Sequence, residues 1–226
     1  SVISEDRIAK LEWVYLPLMG HHGHVPTVLN KNLITNPLFF VEVVKTAYPG
    51  KNESQQTLTE QELARCRCAH ELLDSFRSLP GRKTSEQLDV AELKEWVETA
   101  RSALLNCDRQ GIGDDCIGRL LSCSPHGIDE AWPHESVRDL IEELASVELE
   151  DGIWCGVINS VGVTSRDPFQ GGDQERTRAR KYASFAEKTR NRWVRTTALL
   201  QRISECYVRA AAAEDQRAEL RQDLSS

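Results

Sequence analysis

Apolar residues recur at every third or fourth position along most of this 226-residue chain. Side chains with that spacing share one face of an α-helix, so the pattern predicts a protein built mainly from amphipathic helices. Each helix must bury its apolar face on a neighbour, so we expect an irregular helical bundle or an α-solenoid-like array. The predicted helices span residues 5–16, 27–34, 37–48, 59–78, 89–108, 114–123, 132–147, 173–190 and 192–222.

Local signals mark several of the helix ends. Asn36 can cap a helix that begins at the following proline, and Thr59 with Glu62 has the spacing of a capping box. Pro17 lacks a backbone N–H, so we expect it to end the first helix. The glycines between 111 and 113 are expected to separate helix 89–108 from the next one.

The interval from 153 to 164 departs from the helical period. Residues 153–158 and 161–164 are rich in β-branched side chains, and the turn-forming pair Asn159-Ser160 stands between them. This pattern predicts one β-hairpin. Because two strands alone are only marginally stable in water, the hairpin is expected to pack on the helices or to pair with another part of a parent protein.

Composition indicates a folded protein without a membrane-spanning segment. Apolar residues make up 40% and charged residues 28% of the chain, a balance well away from that of disordered proteins. The longest uncharged run, residues 13–30, contains two prolines, two glycines and three histidines, so it is not expected to cross a bilayer. The length suits one helical domain over 1–226, or two subdomains over 1–150 and 151–226.

Cysteine usage and the first residues bear on where the protein belongs. Seven cysteines form an odd set and lie mostly on predicted helices, which favours reduced thiols in a cytoplasmic protein. The chain starts without Met and without the basic-then-apolar order of a signal peptide. We therefore expect it to be a fragment of a longer protein, or to begin after a removed tag.

Charge is distributed unevenly, and the C-terminal part carries a dense basic stretch. Residues 176–202 contain nine basic side chains and one acid, a local charge of +8 on a chain whose net charge is -7. The candidate contact residues in this stretch are Arg176, Arg178, Arg180, Lys181, Lys188, Arg190, Arg192 and Arg195.

Three interpretations of the basic stretch are open from the sequence. It can contact the phosphates of a nucleic acid, because binding releases the counterions condensed on them. It can dock on an acidic surface, of a partner or of the same protein. It can also be a solvated helix face that the acidic remainder of the chain neutralises, which is the usual role of a charge run.

No motif in the sequence specifies catalysis, a cofactor or a metal. His21, His22 and His24 are of the residue type that binds zinc, but no Cys, Asp or Glu lies between Glu12 and Glu42 to complete a local site. We therefore interpret these histidines as part of a polar loop.

Two further patterns have structural explanations. Cys66 and His70 share a helix face, but that face is also the apolar one. Residues 111–115 (GIGDD) lack the third glycine of a dinucleotide fingerprint and the strands around a Gly-Asp-Asp motif. The sequence thus predicts no catalytic, cofactor-binding or metal-binding residue, and it favours a non-enzymatic protein.

Three segments carry a resemblance to known proteins. They are WVYLPL at 13–18, NPLFFVE at 36–42, and GGDQER at 171–176 followed by RWVRTTA at 192–198. In these segments the chain resembles the C-terminal helical region of large, poorly characterised bacterial proteins, some of them associated with multidomain NTPases of phage defence. The resemblance covers most of the chain, rests on packing motifs, and implies a recognition or scaffolding region.

Taken with the residues, the resemblance predicts a non-enzymatic helical interaction or scaffold domain at the C-terminal end of a larger cytosolic bacterial protein. Its expected partner is another protein, or other domains of the parent chain, bound in grooves between helices. The alternative is a nucleic-acid-binding module that uses residues 176–202. A third hypothesis is an enzyme whose site is assembled only in the fold. No membrane partner is expected.

Overall fold

The computed structural model describes residues 4–19, 24–50, 59–84, 87–160 and 171–225. These ranges hold ten α-helices and no β-strand, which confirms the prediction of a mainly α protein. The helices are α1 (Glu5–Met19), α2 (Thr27–Thr35), α3 (Pro37–Ala47), α4 (Glu60–Ser75), α5 (Val90–Asn106), α6 (Gln110–Leu121), α7 (Glu135–Leu144), α8 (Val147–Asn159), α9 (Asp173–Thr189) and α10 (Val194–Ser225).

The N-terminal half is organised around α3. This apolar helix buries Phe40 and Val44 completely and packs against α2, α4 and α5. Phe40 contacts Trp96 on α5, with the ring centroids 4.9 Å apart. A continuous cluster of buried apolar side chains extends from Leu16 in α1 to Tyr207 in α10. The helices of the N-terminal and C-terminal parts of the chain therefore share one core.

Two predicted helix starts are confirmed. The Asn36 side chain accepts hydrogen bonds from two backbone N–H groups in the first turn of α3, each at 3.1 Å. Thr59 and Glu62 form the capping box of α4, in which the Thr59 backbone N–H donates to Glu62 Oε2 at 2.7 Å. Both caps depend on residues at most three positions apart, which is why the sequence predicts them.

Helices α6 and α8 pack with their backbones in close contact. Gly118 on α6 faces the Leu149 carbonyl group, and Gly152 on α8 faces that of Asp115. A Cβ atom at either glycine would overlap the facing carbonyl oxygen. The two glycines thus permit a helix contact that no other residue type would allow.

The C-terminal helices α9 and α10 form an antiparallel hairpin. Gly172, just before α9, lies against the backbone of Ala211 on α10. Further along, Tyr182 and Tyr207 stack with their ring centroids 5.8 Å apart. Helix α10 also packs on α7 and α8, so the hairpin closes the C-terminal side of the core.

The predicted β-hairpin is wrong where the structure describes it. Residues 153–159 belong to α8, and Ile153 and Val157 are buried in the core. Residues 161–164, predicted as the second strand, lie outside the described residues. The β-branched side chains favour a strand locally, but the close packing of α8 on α6 through Gly152 overrides that preference.

Three predicted helix boundaries also need correction. Pro17 lies inside α1, where it removes only one hydrogen bond near the end of the helix. The glycines at 111 and 113 lie in the first turn of α6, and a side chain at Gly113 would overlap Leu104 of α5. The single helix predicted over 132–147 is instead α7 and the start of α8, separated by Ala145 in the left-handed conformation (φ 46).

Candidate functional site

The predicted basic stretch lies on α9, on the turn after it and on the first part of α10. Six of its eight candidate contact residues form ion pairs with carboxylates, at N···O distances from 2.6 to 3.9 Å. Much of the local positive charge is therefore neutralised inside the molecule. The pairs are Arg176 with Asp173 and Asp215, Arg178 with Glu175, Lys188 with Glu130, Arg190 with Glu187, Arg192 with Asp139 and Arg195 with Glu150.

Four cations of the α9–α10 hairpin form ion pairs with residues that precede the hairpin in the chain. Their carboxylate partners lie in the loop before α7, on α7 and on α8, between 45 and 58 positions away along the chain. We call this set the seam, and it consists of Lys188, Arg192, Arg195 and Arg202 with their partners Glu130, Asp139, Glu150 and Asp151.

Two candidate contact residues have no carboxylate partner among the described residues. Arg180 is exposed on α9. Lys181, its neighbour, is also exposed, and its Nζ lies 5.7 Å from the centre of the Phe185 ring. These two side chains are the part of the predicted site that is available to an external anion.

A buried arginine organises the loop between α6 and α7. The fully buried Arg138 donates to both carboxylate oxygens of Asp129, at 2.6 and 2.8 Å, and to the Pro133 carbonyl at 2.6 Å. Its guanidinium also stacks 4.7 Å from the centre of the Trp193 ring. The hydrogen bonds from Arg138 lower the pKa of Asp129 to about 2, so this carboxylate stays ionised. The buried Arg138 thus holds the loop from its inner side. Ile128, in the same loop, is 95% exposed.

A cleft of about 510 Å³ lies where α4, α6 and α8 end, a volume in the range of small-molecule sites. Its lining includes three arginines together with hydroxyl and thiol groups, namely Arg77, Arg82, Arg119, Ser122, Cys123 and Ser160. Burial raises the pKa of the Cys123 thiol, which makes it a poor nucleophile at neutral pH. The cleft is therefore better suited to binding than to covalent catalysis.

The charges of this cleft are largely compensated. Three helix C-termini bring partial negative charge to it, which guanidinium groups offset. Arg77 Nη1 donates to the Phe76 carbonyl at 2.7 Å. Arg119 contacts Asp74 and Asp115, each at 3.0 Å. Because the arginines complement groups of the fold itself, the cleft is not a strong anion site.

A smaller pocket of about 360 Å³ lies where α2 meets α3, against α5. Trp96 lines this pocket and is 4% exposed, and its buried indole Nε1–H has no acceptor among the described residues. Buried indole N–H groups normally donate a hydrogen bond, so this donor is unusual. We call this space the corner pocket, and its lining includes Ile34, Pro37, Leu38, Glu92, Glu95 and Trp96.

The outer side of α1 is apolar and exposed. Its four large side chains stand at i, i+3, i+4 and i+7 and are between 47% and 67% exposed. The opposite side of the helix is buried, with Leu16 at 1% exposure. We call the exposed set the α1 face, and it consists of Leu11, Val14, Tyr15 and Leu18.

The histidine cluster falls mostly outside the described residues, because only His24 of the three is described, and it is exposed. His70, on α4, packs edge-on against Tyr48 with the ring centroids 4.6 Å apart. Asp114 of the GIGDD segment is buried and pairs with Arg101 at 2.7 Å. In the ranges that the structure describes, no three His, Cys, Asp or Glu side chains form a metal-binding group.

No pattern in the sequence predicts Arg138, the corner pocket or the cleft where α4, α6 and α8 end. The two cavities are assembled from segments that are separate along the chain, so no local spacing marks them. The hydrogen-bond partners of Arg138 are near in the sequence, but they lie in a loop and follow no motif. Comparison with protein-family models, with curated protein sequences and with solved structures finds no match to this chain. Among the described residues, no helix combines the length and the apolar character needed to cross a membrane.

Proposed function

We propose that this chain is a non-enzymatic helical interaction domain that binds a protein partner through the α1 face. In the larger bacterial protein that the resemblance implies, it serves as a C-terminal recognition or scaffold region in the cytoplasm. Its helices form an irregular bundle or solenoid-like array that presents α1 at one side.

The exposure of the α1 face carries this proposal. Single apolar side chains are common on protein surfaces, whereas a contiguous apolar patch marks an interaction site. The spacing of Leu11, Val14, Tyr15 and Leu18 is that of a helix side prepared to pack on another helix. The occupant that fits is therefore an amphipathic helix of the partner.

The position and the charges of α1 add to the proposal. Glu12, on the buried side, accepts hydrogen bonds from the Thr27, Val28 and Leu29 backbone N–H groups of α2, which holds α1 in place before a partner arrives. The exposed cations Arg7 and Lys10 lie four positions before Leu11 and Val14, at one end of the face. An acidic end on the partner helix would complement them.

A photocrosslinking experiment tests the proposal. The photoreactive residue p-benzoylphenylalanine replaces Tyr15 in one full-length protein and Val208 in another, since Val208 is similarly exposed, at 55%, on α10. We expect one protein to crosslink at position 15 and not at 208. That protein, once purified, should lose its affinity for a Leu11→Ser/Leu18→Ser variant, and unchanged affinity would refute the role of the face.

Nucleic-acid binding through residues 176–202 stays a prediction, and it has its own test. An electrophoretic shift with DNA and RNA across a salt series should show affinity that falls steeply with salt if phosphates are bound. Arg180→Gln/Lys181→Gln should then weaken binding, whereas Arg190→Gln, which removes a cation already paired with Glu187, should not. No shift at low salt would remove this alternative.

A further inference from the structure

We infer that the loop between α6 and α7 binds an acidic segment of a partner protein, with a large apolar side chain of that segment packed on Ile128. We call residues 124–134 the Ile128 loop. It belongs to other elements than the α1 face, so the inference does not depend on that face. Three features determine the ligand chemistry: an aliphatic side chain in full contact with water, a backbone that is already fixed, and cations on the neighbouring helix α9.

Ile128 is the most exposed large apolar side chain that the structure describes. It is 95% exposed, whereas Val194, the next in order, is 72% exposed. A side chain at this exposure makes almost no contact with its own fold. Single exposed apolar residues are common on proteins, but burial of a whole aliphatic side chain against a partner raises affinity about tenfold or more.

Hydrogen bonds fix the backbone on both sides of Ile128. The Ile128 N–H donates to Glu135 Oε1 at 2.8 Å. The Gly127 N–H donates to the Ala131 carbonyl at 2.8 Å, and the Glu130 N–H donates to the Gly127 carbonyl at 3.0 Å. Glu130 has the left-handed backbone conformation (φ 61), which residues with a side chain rarely adopt. The loop is thus held in a particular shape, and a surface ordered before binding loses little conformational entropy when a partner arrives.

Contacts with α9 hold the loop against the C-terminal hairpin. Lys188 Nζ donates to the Asp129 carbonyl at 2.9 Å, and the Asp129 carboxylate accepts from the buried Arg138. The His126 ring packs edge-on against Phe185 of α9, with the ring centroids 5.6 Å apart. The Ile128 loop and the adjoining side of α9 therefore form one continuous surface.

The α9 side of this surface is positively charged. Lys181 Nζ lies 5.7 Å from the centre of the Phe185 ring, against which His126 also packs. Burial lowers the pKa of His126, and the nearby charges of Lys181 and Lys188 lower it further. Lys181 has no carboxylate partner among the described residues, and Lys188 contacts Glu130 only at 3.9 Å. An acidic segment gains ion pairs at this surface, whereas a basic segment is repelled.

A cavity of about 690 Å³ beside Ile128 gives the segment room. Ile128, His126 and Glu130 line it, together with Pro125 and Cys123 from the chain just after α6. A large apolar side chain fits this volume, which is in the range of ligand sites. A nucleic acid could also neutralise the cations, but it carries no flexible apolar side chain to pack on Ile128. The aliphatic centre with cations at one side therefore favours a protein segment.

A paired peptide selection tests the inference. Random twelve-residue peptides displayed on phage are selected on the immobilised natural protein. An excess of a soluble Ile128→Ser/Lys181→Glu variant removes peptides that bind elsewhere, including those bound to the α1 face. We expect the enriched peptides to carry several acids around a large apolar residue.

A synthetic peptide of the enriched sequence then measures each contribution. We expect Ile128→Ser to weaken its binding about tenfold, and Lys181→Gln about threefold, the effect of losing an exposed ion pair. Val208→Ser is the control for the first variant, because Val208 is 55% exposed on α10. Arg190→Gln is the control for the second, because Arg190 is already paired with Glu187. Neither control should change the affinity.

The thermal midpoint separates binding from folding. Because Ile128 is almost wholly exposed, Ile128→Ser should keep the midpoint of the natural protein. A large fall in the midpoint would mean that Ile128 packs within the fold, and the inference would then be wrong.

Three further results would overturn the inference. The first is a selection that enriches no peptide against the variant. The second is enrichment of basic peptides, or of peptides without acids. The third is a single-stranded oligonucleotide that distinguishes the natural protein from the variant at low salt while the peptides do not, which would assign the surface to nucleic acid. None of these results bears on the α1 face, since crosslinking at Tyr15 tests that surface separately.

Discussion

The carboxylate of Glu142 on α7 accepts hydrogen bonds from the backbone N–H and the hydroxyl group of Thr196, at 2.9 and 3.0 Å. Thr196 lies in the first turn of α10, so Glu142 does for this helix what an N-cap side chain does for an ordinary one. Glu12 plays the same part for α2. In both cases the first turn of one helix is capped by a carboxylate from a different helix.

Loss of the Glu142 carboxylate should loosen the attachment of the C-terminal hairpin. We expect Glu142→Ala to lower the free energy of unfolding by about 1–2 kcal/mol, the usual cost of a lost cap. Urea denaturation measures the change. Glu143→Ala is the matched control, because Glu143 makes only an exposed 3.9 Å ion pair with Lys94 and should cost less than about 0.5 kcal/mol. Equal losses in both variants would contradict the capping role.

Glu12 should make stability depend on pH on the acid side. Burial raises the pKa of Glu12, but hydrogen bonds from α2 outweigh burial and leave the pKa below its usual value of 4.5. A carboxylate with a lowered pKa stabilises the fold above pH 4.5, and that contribution is lost as pH falls through the lowered pKa.

We therefore expect Glu12→Gln to be less stable than the natural protein by about 1–2 kcal/mol at pH 7, with the gap narrowing below pH 4.5. Unfolding by urea at pH 7, 5 and 3.5 measures it. Glu5→Gln, at an exposed ion pair with Lys31, should change little at any pH. A gap for Glu12→Gln that does not depend on pH would argue against this account.

Arg138 should be among the most sensitive positions in the chain. Its removal leaves the Asp129 carboxylate and the Pro133 carbonyl without their donor, so we expect Arg138→Ala to destabilise the protein by about 3–5 kcal/mol. The thermal midpoint reports the loss. Arg190→Ala, at an exposed pair with Glu187, should leave the midpoint nearly unchanged, and a similar shift in both would show that charge alone matters.

The contact between α6 and α8 predicts opposite outcomes for two glycines. Gly152→Ala places a methyl group against the Asp115 carbonyl and should destabilise by about 1–3 kcal/mol. At Gly111 an added Cβ would meet its nearest neighbour, the Glu148 side chain, only at 3.8 Å. Gly111→Ala should therefore be neutral or stabilising by up to about 1 kcal/mol, as followed by urea denaturation. If Gly152→Ala kept the stability of the natural protein, the close contact between α6 and α8 would not be required for that stability.

The sequence predicts those features that depend on neighbouring residues. The caps at Asn36 and Thr59 and the buried stripe of α5 are of this kind, because a few consecutive side chains determine them. The error at 153–159 arises where a local strand preference meets a tertiary contact. Only the contact with α6 shows why Gly152 and the β-branched residues that follow it belong to a helix.

The candidate site was harder to predict for the same reason. The sequence predicts the basic residues, but the carboxylates that pair with the cations of the seam lie more than 40 positions away along the chain. Trp96 lies in the predicted helix 89–108 and is buried in the core. Its indole Nε1–H has no acceptor among the described residues, and this is apparent only in the fold, where α2, α3 and α5 come together.

The ion pairs of the seam determine how strongly its cations attract a distant charge. Each cation of the seam lies next to an anion, so each pair forms a short dipole. The field of such a dipole falls off within a few ångströms, a distance shorter than the screening length of about 8 Å in physiological salt. A polyanion diffusing past would feel little attraction from them. The four paired cations of the seam thus add little to the attraction of a distant anion, whereas Arg180 and Lys181 have no carboxylate partner among the described residues.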